Sequence, residues 1–272
     1  MVSIPPDLLD NREAISRVLE EQPVGLFLDI DGTLAPLHPD PTAVTITAAI
    51  RQAIGSLPER MEVVVLSGRA TADSRRIVGN DRVTYVGNHG SQWLRDGQES
   101  VLAAALEFVP RVHQIASDAL VRFADWPGIY VEDKGPTMSI HYRTVADRPA
   151  AAAAIGRFID EHPAAVGLRH SDGKLVKEVR PPIDINKGTA VTTVVEERGL
   201  RAAVMLGDDT TDVDAFRAVA RMRDAGRIQG LSIGVLSAGT PDEVLETADY
   251  SLADTNAVER LLVWLADLGG QG

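Results

Sequence analysis

The run Val24-Gly25-Leu26-Phe27-Leu28 contains no polar residue and no two-residue alternation, so a strand built from it has two apolar faces. Such a strand is stable only where both faces are covered, as in a parallel sheet flanked by helices. Comparable runs recur at Glu62–Leu66, Val83–Val86, Ala202–Leu206 and Leu231–Val235. Segments of helical period separate them. Ile46, Ile50, Ile54 and Leu57 share one face, Gly188–Glu197 reads as a helix, and Val258, Leu261, Leu262 and Leu265 line a closing helix. With the first strand predicted over Val24–Ile30, the alternation implies an α/β fold with a Rossmann-like parallel-sheet core.

The middle of the chain breaks that pattern. A helical stretch from about Ala104 to Arg122 precedes two strands, Ile129–Glu132 and Met138–Arg143. An Ala-rich helix, Ala150–Glu161, then leads to Val166–His170 and Lys174–Val179, with Ser171-Asp172-Gly173 between them as a hairpin turn. Helix, two strands, helix, two strands describes an antiparallel α+β module. The expected organisation is a core of residues 1–104 and 183–272 with a cap of residues 105–182 inserted, rejoined near Pro181-Pro182.

Composition narrows the function. A formal net charge of −12 argues against nucleic acid or an anionic membrane as the main partner. It leaves room for a basic pocket and hence for a phosphorylated small molecule. The absence of Cys excludes disulfides, thiolate nucleophiles and Cys-ligated zinc. Met1–Glu20 lacks the basic start and apolar stretch of a signal peptide, and no apolar run approaches the ~20 residues that span a bilayer. A soluble cytoplasmic protein is expected.

Four clusters carry candidate chemistry. Asp29 and Asp31, in Asp29-Ile30-Asp31-Gly32-Thr33-Leu34, follow the first strand, where open α/β sheets bind ligands. One carboxylate there can attack phosphorus, and a second can exchange a proton with the leaving group and with water. Hard oxygens also suit magnesium. Ser67-Gly68-Arg69, after Leu66, offers a hydroxyl and an open backbone to a phosphoryl oxygen. Lys187 opens a helix, where a cation is unfavourable unless an anion sits beside it. Gly207-Asp208-Asp209-Thr210-Thr211-Asp212 gathers acids that repel one another unless a cation binds. Read alone, each has a plain structural explanation: a polar turn, a capped helix start, a solvated lysine, an acid-rich helix N-terminus with Asp212 or Thr211 capping Val213–Met222.

In this order, the clusters resemble the four motifs of the haloacid dehalogenase superfamily of phosphotransferases. The resemblance implies Asp29 as nucleophile and metal ligand, and Asp31 as general acid/base that also binds metal through its backbone carbonyl. It implies Ser67, Gly68 and Lys187 as phosphoryl contacts, Thr33 as support for the loop or for Asp31, and Asp208 as a further magnesium ligand. Asp209 and Asp212 would act through water or behind the ligands.

The cap contains Val131-Glu132-Asp133-Lys134-Gly135, His141-Tyr142-Arg143, Gly173-Lys174 and Glu178-Val179-Arg180-Pro181. With Gly87-Asn88-His89-Gly90 and the segment 207–216, the chain is similar to the trehalose-6-phosphate phosphatases from about Leu26 to Val263. That resemblance implies sugar contacts at Glu132, Lys134, His141 and Glu178. It implies magnesium-dependent hydrolysis of trehalose 6-phosphate through an aspartyl-phosphate, the last step of trehalose biosynthesis. Another sugar phosphate, such as sucrose phosphate or a trehalose-like pseudodisaccharide phosphate, is the nearest alternative. A catalytically idle sugar-phosphate-binding partner of a synthase is a more distant one. Two positions depart from the family pattern: Ser91-Gln92-Trp93 stands where an acid often follows His-Gly, and Val213 replaces a Glu in the last motif. The chain shows no synthase-like segment, so it is expected to act alone or beside a separate synthase.

Overall fold

The computed structural model describes residues 2–173 and 175–268. It divides into two compact units, one formed by the residues up to Ser100 together with those from Ile185, the other by Val101–Asp184. The first is built on an eight-stranded sheet. In chain order its strands are β1 Val24–Leu28, β2 Glu62–Leu66, β3 Thr84–Gly87, β4 Gln92–Arg95 and β5 Gln98–Val101, followed after the second unit by β10 Ala202–Gly207, β11 Gln229–Val235 and β12 Tyr250–Leu252. The spatial order is β12-β11-β10-β1-β2-β3-β4-β5. Every pairing from β12 through β3 is parallel, and β4 turns antiparallel on β3.

All five residues of β1 and all six of β10 are buried, as two-sided coverage requires. The first half of the chain builds outward from β1 in one direction and the second half in the other. The sheet therefore reverses its winding between β1 and β10, the place in open α/β sheets where the loops leaving adjacent strand ends part and ligands bind. Asp29 leaves β1 at that place, its N–H still donating to Leu206 O at 3.1 Å. Asp208 leaves β10 beside it.

Helices over Ala48–Ser56, Lys187–Arg198, Thr210–Asp224 and Thr255–Asp267 cover this unit. Their N-termini are fixed by side chains. Thr47 accepts from Ile50 N, Asp254 accepts from Ala257 N, and capping boxes pair Asn186 with Thr189 and Asp209 with Asp212.

The second unit has its own sheet, in the order β6-β7-β9-β8, from β6 Tyr130–Asp133, β7 Met138–His141, β8 Arg169–Gly173 and β9 Val176–Arg180. All its pairings are antiparallel. Helices Val109–Arg122 and Arg148–Glu161 bury Val112, Ile115, Ile155 and Ile159 against Met138, Ile140 and Val179 in a separate core. One local expectation is corrected. Ser171-Asp172-Gly173 is not the hairpin turn but the end of β8, paired with Glu178, Lys177 and Val176. The reversal comes later, where Leu175 takes positive φ. Lys174, the expected start of the last strand, lies outside the described residues.

Candidate active site

Three carboxylates converge at the strand ends of β1 and β10. Asp29, Asp208 and Asp212 each offer an oxygen within 4.8 Å of the others, and all three are buried. Lys187, the first residue of its helix, reaches into the group and donates to Asp29 Oδ1 and Asp212 Oδ1, each at 2.7 Å. An ammonium at a helix N-terminus opposes the macrodipole, but two adjacent carboxylates are a far stronger influence than that partial charge. Asp212 also accepts the N–H groups of Asp208 and Asp209, both at 3.1 Å, so it caps its helix and braces the β10 loop in one contact.

The backbone is shaped to allow this crowding. A Cβ on Gly32, where φ is +94, would lie 2.1 Å from Asp208 Oδ2, so only glycine lets the loop after Asp31 come against that carboxylate. Gly207 is constrained in the same way by Asp212, whose Cγ would lie 2.3 Å from an added Cβ.

Burial dominates the electrostatics. It raises the Asp29 carboxyl well above the usual carboxylate range; Lys187 opposes the shift, and Asp212, Asp208 and Asp31 add to it. Burial disfavours the Lys187 ammonium, but Asp212 and Asp29 outweigh it and the pKa rises. With all groups ionised, three carboxylates face one ammonium. Thr33 Oγ1 is buried without a hydrogen-bond partner among the described residues. Clustered hard oxygens in negative excess, with an unsatisfied hydroxyl on the loop whose Gly32 lies against Asp208, suit a divalent cation of the magnesium type.

The remaining expected residues of this unit lie around the cluster. Asp31 turns its side chain to Arg69, whose Nε and Nη2 donate to its two oxygens at 2.6 and 2.8 Å. Arg69 Nη1 donates to Asp73 at 2.5 Å and to Pro41 O at 2.9 Å. Ser67 is buried and its Oγ accepts from Arg69 N at 3.1 Å. Gly68 lies against the His89 ring. From sequence alone Arg69 has no role, and Asp212 is left to act through water or behind the ligands. The structure puts Arg69 on Asp31, and Asp212 directly on Lys187. The signal for Arg69 was its position in Ser67-Gly68-Arg69; for Asp212 it was the spacing of a capping box.

Of the four expected sugar contacts, Glu132, His141 and Glu178 lie on strands of the second unit's sheet and Lys134 directly follows β6. Glu132, Ser139 and Glu178 form one row across β6, β7 and β9 and so share a face. His141 Nε2 is 3.1 Å from Glu132 Oε2. Lys134 Nζ is 3.5 Å from Glu178 Oε1, which also accepts from Ser139 Oγ at 3.2 Å. The Tyr130 ring lies 5.6 Å from that of His141, centroid to centroid. The row alternates donors and acceptors beside an aromatic edge, a surface suited to hydroxyl-rich ligands.

A parallel sheet reversing at such a cluster, with an antiparallel module inserted between its halves, is the architecture of the haloacid dehalogenase superfamily. Comparison with known proteins narrows this. Residues 27–255 match the family model described as trehalose-phosphatase. A probable trehalose-phosphate phosphatase of Oryza sativa is 29% identical over 272 residues, covering 96% of this chain and 71% of the relative. A trehalose-phosphate phosphatase of Mycobacterium marinum is 38% identical over 201 residues, covering 71% of this chain and 51% of the relative. A crystal structure of a trehalose-6-phosphate phosphatase related protein superposes with a TM-score of 0.75 at 26% identity, covering 91% of this chain and 99% of that one. The chain belongs to the trehalose-phosphatase family, a family of phosphoric monoester hydrolases.

Proposed function

We propose that this enzyme hydrolyses trehalose 6-phosphate to trehalose and inorganic phosphate in two displacements at Asp29. The observation that carries the reading is the buried convergence of Asp29, Asp208, Asp212 and Lys187 where the sheet reverses its winding, in a chain of this family.

Asp29 Oδ attacks phosphorus, the phosphorus–oxygen bond to the sugar breaks, and an aspartyl-phosphate forms. The departing sugar oxygen takes a proton from Asp31. Water then attacks the aspartyl-phosphate, giving its proton to Asp31, and phosphate leaves. In the structure Asp31 is held by Arg69, so this shuttle requires the carboxyl to exchange that partner for the leaving oxygen. Lys187 keeps a positive charge against the transferring group, and Ser67 Oγ with the Gly68 backbone donates to its oxygens. Asp29 and Asp208 would hold a magnesium ion, with the Asp31 carbonyl that the family resemblance implies and Asp212 beside them. When bound, the ion supplies neutralisation of the phosphoryl charge. Glu132, Lys134, His141 and Glu178 hold the sugar hydroxyls, and a substrate lacking those hydroxyls leaves their charges unmatched. A separate trehalose-6-phosphate synthase would supply the substrate. No helix among the described residues is long and apolar enough to cross a membrane.

The test is phosphate release from trehalose 6-phosphate beside sucrose, glucose and mannose 6-phosphates, with magnesium and with EDTA. A strong preference for the trehalose ester, abolished by EDTA, is expected. Metal-dependent release from a different sugar phosphate would keep the chemistry of Asp29 and overturn the substrate.

A further inference from the structure

Asn88 and His89 hold left-handed backbone at φ 50 and 54, an unfavourable conformation for two consecutive residues that are not glycine. The turn that contains them is over-determined by its neighbours. Asn88 Nδ2 donates to Gln92 Oε1 at 2.9 Å, Ser91 Oγ donates to Asn88 O at 3.0 Å, and Gln92 Oε1 also accepts from Thr71 N at 3.2 Å. Gln92 Nε2 donates to Glu99 Oε1 at 2.7 Å, which also accepts from Thr71 Oγ1. The amide of Gln92, where the family pattern often has an acid, accepts with one end and donates with the other, and so carries the Glu99 carboxylate into the network. Strain held this firmly is a marker of functional geometry.

The turn grips the segment Ser67-Gly68-Arg69. His89 N–H donates to Ser67 O at 3.1 Å and Asn88 N–H donates to Arg69 O at 2.9 Å, while Ser67 N–H donates to Val86 O at 2.9 Å. The His89 ring occupies the space that a side chain on Gly68 would need: a Cβ there would lie 2.6 Å from Cε1 and 2.7 Å from Nε2. On its far side the turn meets the backbone leading into Lys187. A Cβ on Gly90 would lie 2.7 Å from Ile185 Cγ2 and 3.0 Å from Asn186 O.

We infer that His89 is a positioning residue for Ser67-Gly68-Arg69, its imidazole packed where a Gly68 side chain would stand, and that its turn ties this segment to the approach of Lys187. The inference rests on the phosphatase reading. Moving the turn shifts the Ser67 hydroxyl and the guanidinium that holds Asp31, so it acts on the chemical step rather than on the sugar.

The full-length chain tests this. His89→Asn keeps a residue that tolerates left-handed backbone but removes the ring, and His89→Gly removes both ring and strain. Each is expected to lower kcat on trehalose 6-phosphate by about ten- to a hundredfold with KM within about threefold. His89→Gly should melt at or above the wild-type temperature. Gly68→Ala should lower kcat more than about a hundredfold in the wild-type background, and less than about tenfold further when made in His89→Gly. A raised KM with kcat unchanged, a harmless Gly68→Ala, or losses that simply add would overturn the inference. If the wild type releases no phosphate from any ester, the phosphatase reading fails instead. The packing is then judged by melting: Gly68→Ala should lower the midpoint in wild type and spare it in His89→Gly, whereas equal shifts in both sink it.

Discussion

The two units carry polar clusters of opposite design. In the core, Asp29, Lys187, Asp208 and Asp212 are each 5% exposed or less. In the cap, the side chains of Glu132, His141 and Glu178 keep between 18% and 25% of their exposure, and of the four expected contacts only Lys134, at 5%, is as deeply placed as the core groups. Buried charges interact through a poor dielectric, so the ionisation of each member of the core cluster depends strongly on the others. Partly solvated charges are screened more than buried ones, and their pairings exchange more readily for ligand hydroxyls. On the proposed reading, the core would concentrate charge for one reaction at phosphorus, and the cap would spread exchangeable partners over a surface that distinguishes sugars.

The contrast breaks most visibly at Asp29. Asp29→Asn should lower kcat by about four orders of magnitude or more on every phosphate ester, because it removes the proposed nucleophile. The fold should survive. Burial gives the folded state the greater proton affinity at Asp29, so ionising it costs stability as pH rises through the carboxylate range. A neutral amide escapes that cost, and the melting temperature in EDTA should hold or rise at neutral pH. A clear fall in melting temperature would show that the Lys187 ion pair outweighs burial.

Lys187→Met probes the same cluster from the other side. It leaves Asp29 and Asp212 buried without their shared cation, and urea unfolding in EDTA should show a loss of about 3–5 kcal/mol. Added magnesium should narrow that loss by binding the folded state. A loss below about 1 kcal/mol would mean that the carboxylates take up protons at little cost.

Glu178→Ala tests the cap. It should lower kcat/KM for trehalose 6-phosphate by about ten- to a hundredfold and for 4-nitrophenyl phosphate by less than about threefold. Equal losses on both would remove Glu178 from the specificity surface.

The smallest effect is expected at Tyr85, a buried core residue whose Oη donates to Asn80 O at 2.7 Å. Tyr85→Phe should cost about 1 kcal/mol and leave activity unchanged. Burial pushes the Tyr85 phenol up to about 12 from 10.0. The fold favours its protonated form, so this contribution is intact below pH ~10 and lost as pH rises toward ~12. The phenylalanine variant should lack that decline.

Legibility followed the same division. β1, β2, β3, β10 and β11 were readable because two-sided burial demands unbroken apolar runs. The hairpin of β4 and β5 was not, although Asp96-Gly97 marks its turn. Gln98–Val101 is almost wholly exposed and carries no apolar alternation. In the cap, Ser171-Asp172-Gly173 has turn composition, yet its pairing with β9 holds it extended, an override of local preference by tertiary context. Asp29, Asp208 and Lys187, which the structure brings together, are legible in the sequence because each stands at a strand end or helix start in an order that resembles the superfamily motifs. The grip of Arg69 on Asp31 and the shared contact of Lys187 with Asp212 join residues 38 and 25 positions apart, and no local pattern encodes such meetings.

The core is assembled from two stretches of chain, and this sets a timetable for its birth on the ribosome. Val24–Leu28 emerges before β2 and acquires it soon afterwards, but its other neighbour, β10, is not made until the whole of Val101–Asp184 has been translated. At about 5–20 residues per second that segment alone takes on the order of ten seconds. Throughout the wait an apolar strand stands with one edge open, the condition that invites pairing with another nascent chain. The intervening unit is contiguous and has its own core, so it can fold during the delay. Closure comes later still, when Ser251 N–H reaches Pro6 O at 2.9 Å and ties β12 to a segment that precedes β1.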